Sequence, residues 1–562
     1  MLPDVVRRHV VPALESLGVM LPLRRFTRSL RPSWRREQQA ACAAFDAFLG
    51  GTNPSVDLGL AKYPESREAI MVGYAAPPLA ILQTPLLLAL RMAGYRVHVL
   101  LGSAATASAR FYRAFGAAEI LESEVIPVRA DNVSSEQMLA SVRTSDELLG
   151  LAEGGISVGR FAVSTLMRRL RVGRFGPADP EIHAALVEAL TASRQAAERA
   201  RHLISLVKPS LVCFYDRGYT PDGELFDAAL ASGARATTWN AAHRGGSLLS
   251  KRYGNHNRDV HPGMPSRAFW SQLKEMPWTS SHWDALRGEL EECYRDGLWY
   301  DAVGTQTNKR IIDRDKLVAD LGLDPDKPTA VIFPHIFWDA SFFWGKDLFS
   351  DYREWFIEVI RAAVKNTSLN WIVKVHPANL VKNRRENYVG EFSEVVALRD
   401  AVKELPPHVK FMPPDTPVST FSLFSLMDYC LTVRGTVGLE AAIFGKTVLT
   451  AGTGRYDGFG FTVDSSSREE YLDRLSRLTT IPAPTEAQTE LARRYSYGLF
   501  MQRPLKAKCM RFGFAKDASA TLNAELTLSG GSKLEEFEDL RLLSAWLGNP
   551  DSDDLVGNPN SV

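Results

Sequence analysis

The stretch DYCLTVRGTVGLEAAIFGKTVLTAGTGRYDGFGFT, residues 428–462, decides the fold. An apolar run from Tyr429 to Val433 opens into Arg434-Gly435-Thr436-Val437-Gly438, a short helical pattern carrying Glu440 follows, Gly445 stops it, and a second apolar run covers Thr447 to Thr450. That is strand, glycine-bearing loop, helix, strand, the βαβ unit of a parallel sheet. Such a unit points free backbone N–H groups and the positive end of a helix at whatever lies above the sheet, and a phosphate satisfies both. A carboxylate one turn into the helix, where Glu440 stands, can accept two ribose hydroxyls. The expectation is a nucleotide or nucleotide-sugar site, although every βαβ unit has a glycine-bearing turn and the stretch alone does not separate the two.

Upstream, the same alternation recurs. From Thr329 an apolar run leads to His335, residues 351–365 have the spacing of an amphipathic helix, Asn370 to Val375 runs into His376-Pro377, and HVKFM is another strand. Lys374, His376 and Arg434 supply positive charge at successive strand ends, and the helix start at Gly435, Thr436, Val437 and Gly438 supplies directed donors. His335 and the GTGRYDGFG loop belong to the same crevice. A first series of strands and helices covers residues 70–129, and Leu211 to Tyr215 and Ala236 to Trp239 extend it. Asp216 follows the first of these runs; Asn240 and His243 follow the second. A strand-end aspartate commonly caps a turn; His243, beside Arg244-Gly245-Gly246, reads as a loop residue.

These elements divide the chain into four parts. Residues 1–262 are expected to form a Rossmann-like acceptor-side domain with a basic N-terminal extension, 263–312 a helical connector, 313–500 a Rossmann-like donor domain, and 501–562 a helix and disordered tail. Two parallel-sheet α/β domains facing across a cleft are expected.

Composition sets the surroundings. The 562 residues carry 66 basic against 65 acidic side chains, a balance that excludes a dedicated nucleic-acid binder. Five scattered cysteines without a CxxC pair indicate neither a zinc site nor a disulfide framework, and a reducing cytoplasm is the simplest home. No secretory leader is evident, and the most apolar window, 70–90, is broken by Pro77, Pro78 and Pro85 and reads as strand, turn and buried helix. Eight arginines among residues 1–40 are interleaved with Leu21, Leu23, Phe26, Leu30 and Trp34, as on a segment lying against an anionic membrane surface, but Pro12, Pro22 and Pro32 break any single helix there. Peripheral contact with the inner membrane is thus the second expectation after solvated turns. A basic patch at Arg168, Arg169, Arg171 and Arg174 reads as a solvated face or an acceptor-binding rim.

Several motif-like strings fail on context. Asp324-Pro325-Asp326 imitates a metal-binding DxD but precedes a strand in a turn. Gly452 and Gly454 begin GxGxxG, with Asp457 where the last glycine belongs. Gly155 to Gly159 matches GxSxG with no strand leading into it. No metal and no cofactor is expected.

KVHP (374–377), S-x-x-D at Ser425 to Asp428, RGTVGLEAAIFGKTVLTAG (434–452) and RYDGFGFT (455–462) resemble the capsule-polysaccharide biosynthesis transferases, the group that contains bacterial β-Kdo transferases. The likeness is specific over roughly 330–465, with a weaker echo in TTWNAAHRGGSLLSKRYGN (237–255). It implies a GT-B glycosyltransferase without a metal, taking a nucleotide-activated sugar, CMP-Kdo or similar, and a glycan or lipid-linked glycan acceptor. It implies that Lys374 and His376 lie near the donor phosphate, Thr436 to Gly438 at the helix start, and Glu440 near the ribose, while Asp216 and His243 face the sugar from the other half. Asp216 is expected to act as base or nucleophile with His335 or His243 positioning it. A teichoic-acid-type polyol-phosphate transferase, a UDP-sugar 2-epimerase, and a non-catalytic glycan-binding or assembly protein remain the alternatives.

Overall fold

In a computed structural model, residue 43 and residues 57–102, 107–177, 179–516, 520–528 and 531–559 are described; the arginine-rich segment 1–40 lies outside them. Two sheets dominate. The first has seven strands: β1 (Arg67–Val72), β2 (Tyr95–Leu101), β3 (Glu119–Glu122), β4 (Leu211–Phe214), β5 (Arg235–Ala241), β6 (Ser247–Tyr253) and β13 (Leu505–Lys506), in the order β13-β6-β5-β4-β1-β2-β3. The second has six: β7 (Thr329–Ile332), β8 (Asn370–Lys374), β9 (Val409–Met412), β10 (Tyr429–Thr432), β11 (Thr447–Thr450) and β12 (Val463–Asp464), in the order β12-β11-β10-β7-β8-β9. A separate hairpin of β14 (Met510–Phe514) and β15 (Leu522–Leu526) packs on the first domain.

The second sheet is parallel throughout, with β10 between β7 and β11 and Tyr429 registered against Ala330 and Thr447. Its strands are apolar on both faces because helices cover both: Ile332, Trp371, Val373, Leu431 and Leu449 pack toward the helix Tyr352–Lys365, and Val331, Ile372, Cys430 and Val448 toward the helix Thr436–Ile443. Asp351 starts the first of these helices by accepting the Glu354 N–H at 2.7 Å. Residues 70–90 form β1 and the helix Pro77–Met92, as expected. Among the described residues no helix is long and apolar enough to cross a membrane.

The first sheet departs from the expected all-parallel plan. β6 runs antiparallel to β5 and to β13, so the echo at 237–255 is a hairpin next to the edge strand β13. The strand β13 comes from the far end of the chain, and residues 505–555 return to complete the first domain: Met510, Phe512, Leu540, Leu543 and Leu547 join the core built on β1, β2 and the helix Pro77–Met92. The tail beyond Gly548, expected to be disordered, is docked as far as it is described. Asp554 is 2% exposed and pairs with Lys251 Nζ at 2.9 Å and Arg503 Nη2 at 3.2 Å, while Leu555 is buried. Its polar composition misleads because one of its acids, Asp554, is the counter-ion of two buried cations rather than a solvated group.

The domains meet along a polar and aromatic seam. Arg168 binds Asp339 at 3.0 Å, and Arg171 binds Glu386 and Asn383 while its guanidinium lies 4.3 Å from the Trp338 ring. Arg174 pairs with Asp351. The basic patch is therefore chiefly a set of interdomain ion pairs: Arg168, Arg171 and Arg174 reach acids of the opposite domain, while Arg168 also lines the cleft and Arg169 is exposed. Where β4 ends, Gly218 lets the backbone lie against Phe343; a Cβ there would sit 2.0 Å from that ring.

Candidate functional site

The carboxyl ends of both sheets open into one cleft with two lobes. The larger, of about 850 Å³, is walled by Tyr215, Asp216, His243, Phe343, Trp344 and Arg385. The smaller, of about 370 Å³, is walled by His335, Lys374, His376, Thr436, Val437 and Glu440. His261, Tyr300, Asp339, Lys382 and Arg455 line both, so the lobes join at these residues.

The smaller lobe gathers the residues expected of a donor site. Lys374 ends β8; it is 2% exposed and its Nζ has no hydrogen-bond partner among the described residues. Burial, reinforced by Lys309, lowers its pKa to about 7. A buried amine without a partner is costly, and here it faces a cavity. His376 accepts the Ala378 N–H on Nδ1 at 3.2 Å, and burial with Lys382 and Lys374 lowers its pKa to about 4. His335 accepts the Arg434 N–H on Nε2 at 3.1 Å, stacks on Tyr352 at 4.6 Å, and is held well below the usual histidine range by burial and Arg434. The helix Thr436–Ile443 starts beside them, where its first N–H groups have no partner within the helix.

Glu440 is 3% exposed and accepts the Tyr294 hydroxyl; burial raises its pKa to about 7. It lies in the wall of the smaller lobe, as expected of a ribose ligand, although a tyrosine already holds one of its oxygens.

Two expected ligands are placed elsewhere. The Arg434 guanidinium, 3% exposed, turns away from the cavity to Asp347 at 2.5 Å, the Lys346 carbonyl at 3.0 Å and the Tyr352 hydroxyl at 3.3 Å. A long side chain follows its counter-ion, and Asp347 lies behind the loop. Gly438 is buried and no wall residue; its lack of a side chain admits Tyr456, whose hydroxyl would lie 2.2 Å from an added Cβ and donates to the Gly435 carbonyl. Gly435 itself lines the lobe and gives its N–H to Thr432 Oγ1 at 3.2 Å.

The missing cation is Arg455. It lies on the loop after β11, lines both lobes, and donates to Thr436 Oγ1 at 2.5 Å and to the Arg434 carbonyl at 3.2 Å. It stands inside the GTGRYDGFG string, where only strand-end geometry distinguishes it from Arg434. Lys382 and Asp339 also escaped notice. Asp339 receives Lys382 at 2.6 Å, Arg168 at 3.0 Å and the Tyr219 hydroxyl at 3.1 Å. Burial would raise its pKa, but Lys382 and Arg168 outweigh that and hold it below the usual range.

Asp216 lies across the cleft in the larger lobe. Its Oδ1 accepts the Arg217 and Gly218 N–H groups at 2.7 and 3.2 Å, so it does cap a turn, but Oδ2 has no partner among the described residues. Burial, with Asp339 nearby, raises its pKa above the ordinary range. Neither histidine expected to position it does so. His243 gives Nε2 to Glu289 at 2.7 Å and packs between Trp299 and Phe500, while His335 belongs to the other lobe. The separation of the two domains across the cleft accounts for the second mismatch, and the charge of Glu289 for the first.

Among the described residues, one group could hold a metal: His243, Glu289 and Cys293. Arg244 already binds both Glu289 oxygens at 3.0 Å, and burial pushes the Cys293 thiol up, so the donor set fits an ion pair better than a cation.

Comparison with known proteins gives one family and a set of distant structural likenesses. No curated protein matches the chain. By structure, the chain is similar to the Thermosulfurimonas dismutans KpsC beta Kdo 2,4 transferase at 15% identity, over 56% of this chain and 84% of that one, with a TM-score of 0.32. It is similar to the Neisseria meningitidis UDP-GlcNAc 2-epimerase at 12% identity, over 77% and 96%, with a TM-score of 0.26. A glycosyltransferase from Rickettsia africae matches at 10% identity over 78% and 95%, with a TM-score of 0.26. Residues 298–481, about a third of the chain, match the family described as capsule polysaccharide biosynthesis protein, and they contain His335, Lys374, His376, Thr436, Val437 and Glu440 of the smaller lobe. That match falls on the second domain of this chain, which is similar to the capsule polysaccharide biosynthesis proteins over those residues.

Proposed function

We propose that the protein is a glycosyltransferase of capsule or surface polysaccharide synthesis that takes a nucleotide-activated sugar in the smaller lobe and a glycan or lipid-linked glycan acceptor in the larger. The observation that carries this reading is Lys374 Nζ: buried, unpartnered, and in the wall of a cavity that also holds a helix start. A phosphate there satisfies the amine and the free N–H groups together.

The chemistry follows from the placement. The acceptor oxygen forms a bond to the anomeric carbon while the bond from that carbon to the phosphate oxygen breaks, its electron pair leaving with the phosphate. Lys374, Arg455, Lys382 and the helix start are arranged to stabilise the charge that builds on the departing group, a task that needs no metal. Asp216 receives the acceptor hydroxyl proton on its unpartnered Oδ2. Asp339 is poorly suited to that role, since Lys382, Arg168 and Tyr219 occupy its oxygens. Glu440 is the ligand for the ribose. The match of 298–481 to capsule polysaccharide biosynthesis proteins supports the assignment of the pathway.

A thermal-shift panel of CMP, CDP, UDP and GDP tests the reading. A nucleotide at about 100 times its Kd adds roughly 2.7 kcal/mol of stability. At least one is expected to raise Tm in the parent protein and to lose that effect in Lys374→Ala. Absence of any shift in the parent, or a full shift in the variant, would overturn the donor-site assignment.

A further inference from the structure

His261 lies at the junction of the two lobes, on the strap that runs from the first domain to the second. Its backbone N–H donates to the Gly454 carbonyl at 2.7 Å, which fixes it against the loop carrying Arg455. Its Nδ1 accepts the Gly263 N–H at 2.9 Å, and its ring packs 5.0 Å from Trp344. An imidazole that accepts on Nδ1 and is uncharged carries its proton on Nε2; burial, with Arg455 and Arg217 nearby, keeps this ring neutral. The Nε2–H has no partner among the described residues.

The same arrangement occurs twice more around the cleft. His376 accepts a backbone N–H on Nδ1 and His335 accepts one on Nε2, and each is kept neutral by burial and neighbouring cations. In all three, a backbone amide fixes the tautomer and the remaining ring N–H has no partner among the described residues. Three separate chain segments would not arrive at one pattern through core packing, which places no demand on tautomer.

Resting on the reading above, we propose that His261 is a substrate-binding residue of this site: its Nε2–H donates to the oxygen that joins the departing phosphate to the transferred sugar. With His335 and His376 it makes a ring of uncharged donors around the phosphate, supplementing the cations of Lys374, Lys382 and Arg455. Its position at the meeting of the lobes puts it where the bond breaks, while His335 and His376 lie deeper in the nucleotide lobe. No proton leaves His261 in the step; it stabilises the electron pair arriving on the phosphate oxygen.

Two variants separate this role from a structural one. The Oδ1 of His261→Asn falls at the position of Nδ1 and can still accept the Gly263 N–H, but nothing replaces the distal donor. His261→Gln places a donor near Nε2 and loses the proximal acceptor. The probe is whichever of CMP, CDP, UDP and GDP raises the parent's Tm most, titrated calorimetrically beside the nucleoside that lacks the phosphate. The expected result is that H261N binds the nucleotide about 10-fold more weakly, H261Q stays within about 3-fold of the parent, and nucleoside binding is unchanged in both. Parent-like nucleotide affinity in H261N, or equal loss in both variants, would overturn the proposal while leaving the donor-site reading intact. If no nucleotide binds the parent, the donor-site reading falls and this proposal with it. Should H261N melt far below the parent, H261Q decides: retained affinity supports the donor, lost affinity refutes it.

Discussion

Arg455 donates to the Thr436 hydroxyl across 2.5 Å, tying the glycine-rich loop after β11 to the first turn of the helix that follows β10. The bond aims a guanidinium and a helix start at one point. It also explains why a second arginine on an adjacent loop, Arg434, is free to serve as a buried strut.

Removing Arg455 should therefore affect the ligand more than the fold. Arg455→Ala is expected to weaken nucleotide binding by at least about 10-fold, the value of one charge-assisted bond, with Tm changing by no more than a few degrees. Arg434→Ala should do the opposite: it empties a buried site and leaves the half-buried Asp347 without its partner, at a cost of about 2–3 kcal/mol. Titration calorimetry and thermal melts on the two variants check both halves.

Lys374 links binding to pH. As a base with a folded pKa lowered to about 7, it binds fewer protons in the folded than in the unfolded protein between pH 7 and its ordinary value near 10.5. Its penalty is thus greatest below pH 7 and relieved as pH rises through that window. Lys374→Met is expected to stabilise the unliganded protein by about 2 kcal/mol at pH 6, with a smaller gain at pH 9. Lys309 and Asp415 act on this amine with opposite sign, and His376 is its other titratable neighbour. A phosphate prefers the charged amine, so nucleotide affinity should be highest below pH 7 and fall above it, and that slope should vanish in the Met variant. A flat profile in the parent would contradict the assignment.

Asp216→Asn keeps the oxygen that accepts the Arg217 and Gly218 N–H groups but cannot take a proton. Transfer from a nucleotide-sugar is expected to fall at least about 100-fold, the usual value of a general base, with nucleotide affinity unchanged. Loss of binding in place of turnover would move Asp216 to a structural role.

The C-terminal segment should behave as part of the first domain. Asp554→Ala leaves Lys251 and Arg503 buried and unpaired, and a loss of about 3–5 kcal/mol is expected. Burial would raise the Asp554 carboxyl, but Arg503 and Lys251 hold it down to about 2. Its contribution is therefore complete above the ordinary aspartate value near 3.8 and is lost as pH falls toward 2. Melts of parent and variant at pH 3 and pH 7 should converge at the acid end.

Much of the frame was legible in advance. The alternation of apolar runs and helical spacing around Tyr429, Thr447 and Asn370 identifies parallel strands because a sheet covered on both faces requires unbroken apolar segments. The strand ends then name Lys374, His376 and Asp216, since the chain must turn there and polar residues are tolerated there, and the helix that follows β10 names Glu440. His261 escaped this reading because it lies on an irregular crossing between domains, with no period around it.

What the sequence by itself determined was the class of fold and the loops that could bind a phosphate, both consequences of local pattern. Only the tertiary structure decided which side chains reach the cleft. Arg434 and Arg455 are equivalent as residue types and adjacent as loops, but a half-buried Asp347 captures one and leaves the other facing the cavity. Counter-ions and tautomer-fixing amides come from segments distant in the chain, such as Asp554 for Lys251, and no local pattern records them.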